Sequence, residues 1–263
     1  MGGSDKLPIS VVVIAQNEAA HVGDCLVSAG FAAELLVLDG GSDDQTVAIA
    51  LRAGARVEQR AFDGWISQKN AALEMARQDW VLSLDADERV SPGLAAEIRG
   101  LFSGSGPDAD GYEIPRRAFH LGRWIRGGGW YPDRKLRLIR RGKGCWTGRD
   151  PHDRLTVAGR VRRLQQDLLH YPYADLAAHV ARMDRYTTAA AQAAFEAGRG
   201  AALLRMVVTP PLRFLKAYLV RGGFRDGRAG LVLAVLAAEY ERMRYAKLWD
   251  LQRRARGSGR AER

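Results

Sequence analysis

Short, nearly continuous apolar runs recur through about the first 90 residues, each followed by polar turn residues or a segment of helical period. Ile9 to Ala15 (Ile-Ser-Val-Val-Val-Ile-Ala) is rich in β-branched residues and reads as a buried strand. A helical pattern opens at Asn17 and Glu18 and runs to about Ala29. Glu34 to Asp39 is a second buried strand that stops at a carboxylate. Gly40-Gly41-Ser42-Asp43-Asp44 is a turn, Thr46 to Ala53 a helix ended by Gly54, and Arg56 to Gln59 a short third strand. Ser67 to Arg77 is helical, and Trp80 to Leu84 is a fourth strand that again runs into carboxylates. Strands alternating with helices predict a mostly parallel sheet with right-handed crossovers.

After Pro92 a helix is expected to about Phe102, then a Gly/Ser/Pro/Asp loop from Ser103 to Asp110. Tyr112 to Ile114 and Lys135 to Ile139 read as strands joined by a Gly/Trp/Arg-rich connection. Beyond His170 the regime changes. Ala174 to Ala197 is Ala-rich and helical, Leu203 to Val220 is apolar and basic but interrupted by Pro210-Pro211, and Leu231 to Leu251 is a further helix. Gln252 to Arg263 is expected to be a frayed basic tail. The pattern thus divides into an α/β region, residues 1–170, and a basic amphipathic helical region, residues 171–263. The first splits again into halves 1–114 and 115–170.

Composition sharpens this division. Residues 1–114 carry 8 Lys/Arg against 18 Asp/Glu, a net of −10, and residues 115–263 carry 32 against 12, a net of +20. The basic half is expected to meet something anionic: a phosphorylated substrate, nucleic acid or an acidic membrane surface. Two cysteines, Cys25 and Cys145, stand far apart and suggest neither a disulfide framework nor a zinc site, which points to the reducing cytoplasm. The start of the chain lacks the basic and apolar pattern of a signal peptide. The longest apolar run, Leu231 to Ala238, falls short of the roughly 20 residues of a spanning helix.

In an open parallel sheet, ligands bind at the carboxyl ends of the strands. Asp39, and Asp85 with Asp87, stand at those ends. Carboxylates gathered on one edge require a cation or a donor-rich ligand to balance them. The Asp85-Ala86-Asp87 spacing offers hard oxygen ligands that suit Mg²⁺ or Mn²⁺ bridging to a diphosphate. The plainer reading is a helix cap and loop acids, and its weight falls because the motif directly follows Trp-Val-Leu-Ser-Leu. Asp39 is followed by two glycines that permit a tight turn and close approach by a ligand, although strand-end turn chemistry uses the same residues.

Four segments in this order resemble the successive motifs of family 2 glycosyltransferases: Val12-Val13-Ile14-Ala15-Gln16-Asn17-Glu18, Asp39 to Thr46, Gln68-Lys69-Asn70 and Leu84-Asp85-Ala86-Asp87-Glu88. Later segments are similar to the lipopolysaccharide-core β-1,4-glucosyltransferase subgroup. These are Gly128-Gly129-Trp130-Tyr131-Pro132-Asp133, Arg137 to Arg141, Pro151-His152-Asp153-Arg154-Leu155, His170-Tyr171-Pro172-Tyr173, Arg185-Tyr186-Thr187 and Phe214 to Gly230. The resemblance implies a GT-A-type nucleotide-binding domain with a mostly parallel central sheet, plus a C-terminal helical region. It implies a donor half, 1–114, an acceptor half, 115–170, and a nucleotide-sugar donor, by analogy a UDP-sugar. By the same resemblance Ala15, Gln16 and Glu18 lie by the base and ribose, and Asp39 accepts a hydrogen bond from the base. Lys69 approaches base or phosphates, Asp85 with Ala86 faces ribose or sugar, and Asp87 holds Mg²⁺ or Mn²⁺ with Asp85 beside it.

Inversion needs a base that takes the proton of the acceptor hydroxyl as the nucleotide diphosphate leaves. Asp153 is the first candidate and Asp133 the second. His152 is a candidate further metal or phosphate contact, with an ordinary loop partner as the competing reading. Relatives usually carry Glu after that histidine, so Asp153 departs from the pattern. No Gln-x-x-Arg-Trp segment of the processive members is evident, which implies transfer of a single sugar. Arg123, Arg126, Arg134, Arg137, Arg140 and Arg141 are expected to meet phosphates of the acceptor. The acceptor implied by the resemblance is an anionic glycolipid. The basic helices then suit peripheral contact with the inner face of the cytoplasmic membrane, or packing on a second copy. A nucleic-acid-binding protein leaves the acidic strand ends unexplained. A nucleotidyltransferase should carry a Gly-rich basic loop where Gln16-Asn17-Glu18 stands, and no G-x-G-x-x-G follows the first strand.

Overall fold

The computed structural model describes residues 6–149, 152–200 and 202–261. In chain order the elements are β1 (Leu7–Ala15), α1 (Val22–Ser28), β2 (Ala32–Asp39), α2 (Thr46–Arg52), β3 (Arg56–Gln59), α3 (Trp65–Met75), β4 (Trp80–Asp85), β5 (Glu88–Val90) and α4 (Pro92–Leu101). There follow β6 (Gly111–His120), β7 (Arg123–Trp124), β8 (Asp133–Arg140), β9 (Gly144–Arg149), β10 (His152–Val157), β11 (Val161–Arg163), β12 (Leu168–His170), α5 (Leu176–Glu196), α6 (Ala202–Leu215) and α7 (Gly227–Ala261). A π-helical turn, Lys216–Val220, and a 3-10 turn, Gly223–Asp226, link α6 to α7. The chain forms two compact units: Met1–Arg117 with Asp133–Tyr171, and Ala118–Pro132 with Pro172–Arg263.

The first unit is built on a sheet of order β3-β2-β1-β4-β8-β6-β12-β5. β1 lies at the centre of its parallel half, flanked by β2 and β4. Beyond β4 the sheet continues antiparallel through β8 and β6. Apolar residues cover both faces. Val11, Val13 and Leu82 join the core under α1 and α4, while Val12, Leu36 and Val81 join the core under α3. Burial on both faces is why these strands read as continuous apolar runs. Cys25 is buried in the first of these cores and Cys145 is exposed, both as free thiols.

The helix expected from Asn17 begins only at Val22. Asn17 takes a left-handed conformation with φ 57°. The backbone N–H groups of Asn17 and Glu18 donate to the hydroxyls of Ser42 (2.9 Å) and Thr46 (2.8 Å). Donors engaged by the neighbouring turn hold this segment as a loop after β1 and delay the helix.

The second unit is mainly helical. Ala191, Ala202, Tyr245 and Leu248 form one small core, and Ile125, Ala229 and Leu233 another. α6 passes through Pro210 and Pro211 rather than stopping there. α7 runs to Ala261, well past the expected end at Leu251, and Arg253 and Arg254 pair with Asp250 one turn back. The loop after β7 is fastened from within the unit. The buried Asp226 carboxylate accepts from the backbone N–H of Arg126 (3.0 Å) and Gly127 (2.6 Å), and Gly128 N–H donates to the Arg221 carbonyl (2.9 Å). A Cβ on Gly127 would stand 2.2 Å from the Gly222 carbonyl oxygen, so only glycine permits this approach.

His120 and His179 are buried together with a ring-nitrogen separation of 3.0 Å; Trp130 stacks on His120 and Tyr173 on His179. Burial, then the neighbouring His120 and Arg182, push His179 down to about 4 from an ordinary 6.5. An unfolded histidine takes up its proton near 6.5 while the folded one refuses it until about 4. Acid therefore favours the unfolded chain across that window. The melting temperature is expected to fall as pH drops from 6.5 toward 4, and His179→Phe should flatten that slope; a slope unchanged by the substitution would remove His179 as its source.

Candidate active site

The parallel register sets Ala15 opposite Asp39 and Ile14 opposite Asp85, so both aspartates stand at the carboxyl edge on either side of β1. Asp39 is fully buried and ties down its own turn. Its Oδ2 accepts from the N–H of Gly41 (3.1 Å) and Ser42 (3.0 Å), and its Oδ1 from the Ser42 hydroxyl (2.5 Å). Gly41 adopts φ 94°, which glycine reaches without a steric cost. Across this edge the Gln16 amide donates to the Gly40 carbonyl (3.3 Å), and Asn17 Oδ1 accepts from Asp43 N–H (3.0 Å). The loops after β1 and β2 are thus one laced surface beside Ala15, Gln16 and Glu18.

The Gln68-Lys69-Asn70 segment of α3 divides its labour. Gln68 donates to the Arg60 carbonyl (3.0 Å). Asn70 docks α3 on β9 by exchanging both its amide groups with the backbone of Trp146, at 2.8 and 3.0 Å. Lys69, nearly buried over the Trp146 ring, reaches Asp85 (3.0 Å) and Asp153 (2.8 Å) with one ammonium. Asp153 arrives on the β9–β10 hairpin, opposite Gly148. One lysine therefore joins the first carboxylate of the Asp-x-Asp motif to the leading candidate base.

Asp85 faces further cations. Arg137 on β8 lies 2.5 Å from Asp85 and 2.6 Å from Glu88, and Arg116 on β6 lies 3.0 Å from Glu88 and 2.7 Å from Asp133. Glu88 is wholly buried, and its second oxygen accepts from Asp85 N–H (3.1 Å). Burial would raise the Asp85 carboxyl, but Arg137, then Lys69 and Arg116, outweigh it and hold the group well below the usual carboxylate range. Burial likewise opposes the charge on Arg137, and Asp85 and Glu88 reverse that and raise it. Asp133 is lowered as well, since Arg116 and Lys135 overcome its partial burial.

One expectation changes here. Arg137 is not an exposed contact for acceptor phosphates; it is 3% exposed and committed to Asp85 and Glu88. Arg134 and Arg123 are also engaged within the fold, by the Leu164 carbonyl (3.0 Å) and the Asp226 carbonyl (2.8 Å). The side chain of His152 lies outside the described residues. A different histidine stands by the motif: β12 pairs with β5, bringing His170 Nε2 to 3.3 Å from Asp87. Sequence reasoning placed His170 in a motif without a role, because a three-residue strand 80 positions downstream shows no period that predicts its partner.

Among the described residues no three His, Cys, Asp or Glu side chains gather to hold a metal ion by themselves. Asp85 already faces protein cations. Asp87 with His170 is a carboxylate–imidazole pair whose oxygen and nitrogen are donors of the kind that would hold a divalent ion.

A parallel sheet edge with acidic strand ends, continued by antiparallel strands and met by a separate β9–β10 hairpin that carries a lysine-held aspartate, is a GT-A-type α/β architecture. The family model "Glycosyl transferase family 2" matches residues 10–158, and the chain belongs to that family. The lipopolysaccharide core biosynthesis glycosyltransferase LpsC of Rhizobium meliloti is 32% identical over 257 residues, 93% of each chain. An uncharacterized glycosyltransferase of Rickettsia felis is 27% identical over 261 residues, 91% of this chain and 89% of its own. The crystal structure of S. aureus TarS 1-349 in complex with UDP-GlcNAc superposes with a TM-score of 0.50 at 14% identity, over 95% of this chain and 92% of that one; this likeness speaks for the fold.

Proposed function

We infer that this glycosyltransferase moves a single hexose, with inversion, from a UDP-sugar to a lipopolysaccharide-core or related glycolipid. The observation that carries the reading is the Lys69 bridge between Asp85 and Asp153. It supports Asp153 as the base and the neighbouring acidic edge as the nucleotide-sugar site. The similarity to LpsC over nearly the whole chain supports the acceptor class. An acceptor anchored in lipid sets the reaction at the inner face of the cytoplasmic membrane.

In the forward reaction the acceptor hydroxyl oxygen bonds to the anomeric carbon as the bond from that carbon to the diphosphate oxygen breaks. The Asp153 carboxylate receives the hydroxyl proton, and the electron pair of the broken bond leaves with UDP. Asp39, Gln16 and Glu18 line the base and ribose. Lys69 offers its ammonium to the diphosphate, worth most where water is excluded. Asp87 and His170 would hold a divalent ion, Mg²⁺ or Mn²⁺, which would supply charge neutralisation of the leaving group.

Titration calorimetry with UDP, with and without Mn²⁺, tests the donor half. Metal-dependent binding that Asp87→Asn weakens by roughly tenfold to a hundredfold, with an unchanged melting temperature, is the expected result. Equal binding by that variant would remove Asp87 as the metal ligand, and no UDP binding under either condition would sink the donor assignment.

A further inference from the structure

We propose that the outward face of α6 and the π-helical turn after it is a docking surface for an anionic lipid bilayer. A helix that packs on a protein normally turns its large apolar residues inward. Here the order is inverted. The inward positions Ala202, Met206, Pro210 and Ala217 are mostly small, and Met206 and Ala202 join the core shared with α5 and α7. The large residues point out: Leu204 (67% exposed), Val207 (69%), Leu212 (60%), Leu215, Leu219 and Val220 (80%). With Val208, positions 204, 208, 212, 215 and 219 follow three- and four-residue spacing, so they form one stripe along the helix. Large exposed apolar residues aligned in one stripe suit a contact surface, whereas singly scattered ones would not.

Charge selects the occupant. From residue 197 to residue 225 there is no Asp or Glu, while Arg199, Arg205, Arg213, Lys216, Arg221 and Arg225 all fall within that stretch. Arg205, Lys216, Arg221 and Arg225 are exposed. A second copy of the chain meeting this face through a two-fold axis would set these cations against themselves. A bilayer with anionic headgroups satisfies both features: the apolar stripe enters the acyl boundary and the cations meet the phosphates. Among the described residues no helix is long and apolar enough to cross a membrane, and the proposed contact is of a helix lying along the surface. The proposal extends the glycolipid reading above, since it brings the enzyme to the plane where such an acceptor resides, but it stands on separate residues.

Co-sedimentation of the full chain with phosphatidylcholine vesicles, with and without an equimolar share of phosphatidylglycerol, tests it. The protein is expected to pellet with the anionic vesicles and to remain in solution with the neutral ones, with binding lost in high salt. The triple variant Leu204→Ser, Val207→Ser, Leu212→Ser should lower the partition coefficient by about tenfold or more. Arg205→Ala and Lys216→Ala should each lower it about fivefold. UDP titration of every variant keeps folding under control, because these residues are far in sequence from the donor motifs. A wild-type chain that ignores anionic vesicles overturns the proposal. So does a dimer, seen by sedimentation equilibrium, that the triple variant converts to monomer. Vesicle binding without UDP binding would sink the donor reading and uphold this surface; UDP binding without vesicle binding would do the reverse.

Discussion

Asp153→Asn is expected to lower kcat by about 10²–10⁴-fold, the usual loss when a positioned base is removed. An amide keeps the shape of the side chain and a hydrogen bond to Lys69, which lies 2.8 Å from the carboxylate. UDP affinity should therefore stay within a few-fold of wild type, so the loss falls on kcat. Asp133→Asn is the paired control. Asp133 is tied to Arg116 at 2.7 Å and to Lys135 at 3.1 Å, and those cations hold its carboxyl below the ordinary range. Two cations committed to this carboxylate lower its affinity for a proton, and its amide variant should lose less than about tenfold. Steady-state kinetics across pH separates the two, because only loss of the true base removes the acidic limb of the kcat profile. A dead Asp133→Asn enzyme beside an active Asp153→Asn enzyme would transfer the role to Asp133.

Arg137→Met carries the largest expected effect on stability, a loss of about 3–5 kcal/mol. The guanidinium is buried and answers two carboxylates at once, Asp85 at 2.5 Å and the wholly buried Glu88 at 2.6 Å. Methionine fills much of the volume but leaves Glu88 with Arg116 as its remaining cation, at 3.0 Å. Urea unfolding reads the difference directly. Adding Glu88→Gln to Arg137→Met should recover part of the loss, because it removes the stranded charge; no recovery would show that packing rather than charge dominates. Acid adds a second signature. Asp85 is held well below its unfolded value, so its contribution is fully present above the unfolded carboxylate range near pH 4 and fades as pH falls toward the folded value. Without Arg137 the contribution is smaller and is used up at higher pH, while its upper limit, set by the unfolded carboxylate, stays where it was; the less stable variant should therefore unfold in acid at a higher pH.

Much of the donor edge was legible in the chain itself. Val-Val-Val-Ile-Ala, Leu-Leu-Val-Leu-Asp and Val-Leu-Ser-Leu-Asp are buried on both faces, and such runs announce a parallel strand whichever neighbours it finds. Each ends where apolar residues give way to turn residues, and so Asp39 and Asp85 could be set on one edge before any register was known. The charge split between halves, and the amphipathic helices beyond His170, are likewise local properties of composition and period.

What the tertiary structure decided is which side chains answer those carboxylates. β8 reads Asp-Arg-Lys-Leu-Arg-Leu-Ile-Arg, and nothing local distinguishes Arg137, buried against Asp85, from Arg140, exposed at the end of the strand. The distinction comes from the antiparallel pairing of β8 with β4, a contact between segments more than 50 residues apart. The same holds for Asp153 on Lys69, delivered by a hairpin that Asn70 fastens to α3, and for His170, delivered to Asp87 by a strand of three residues. Nor did the pattern of α6 say which of its faces turns outward, because an amphipathic period fixes two faces and only packing assigns them. Local sequence specifies backbone preference and burial, since these depend on a residue and its near neighbours. Ion pairing depends on long-range strand register, which the sum of all the packing determines.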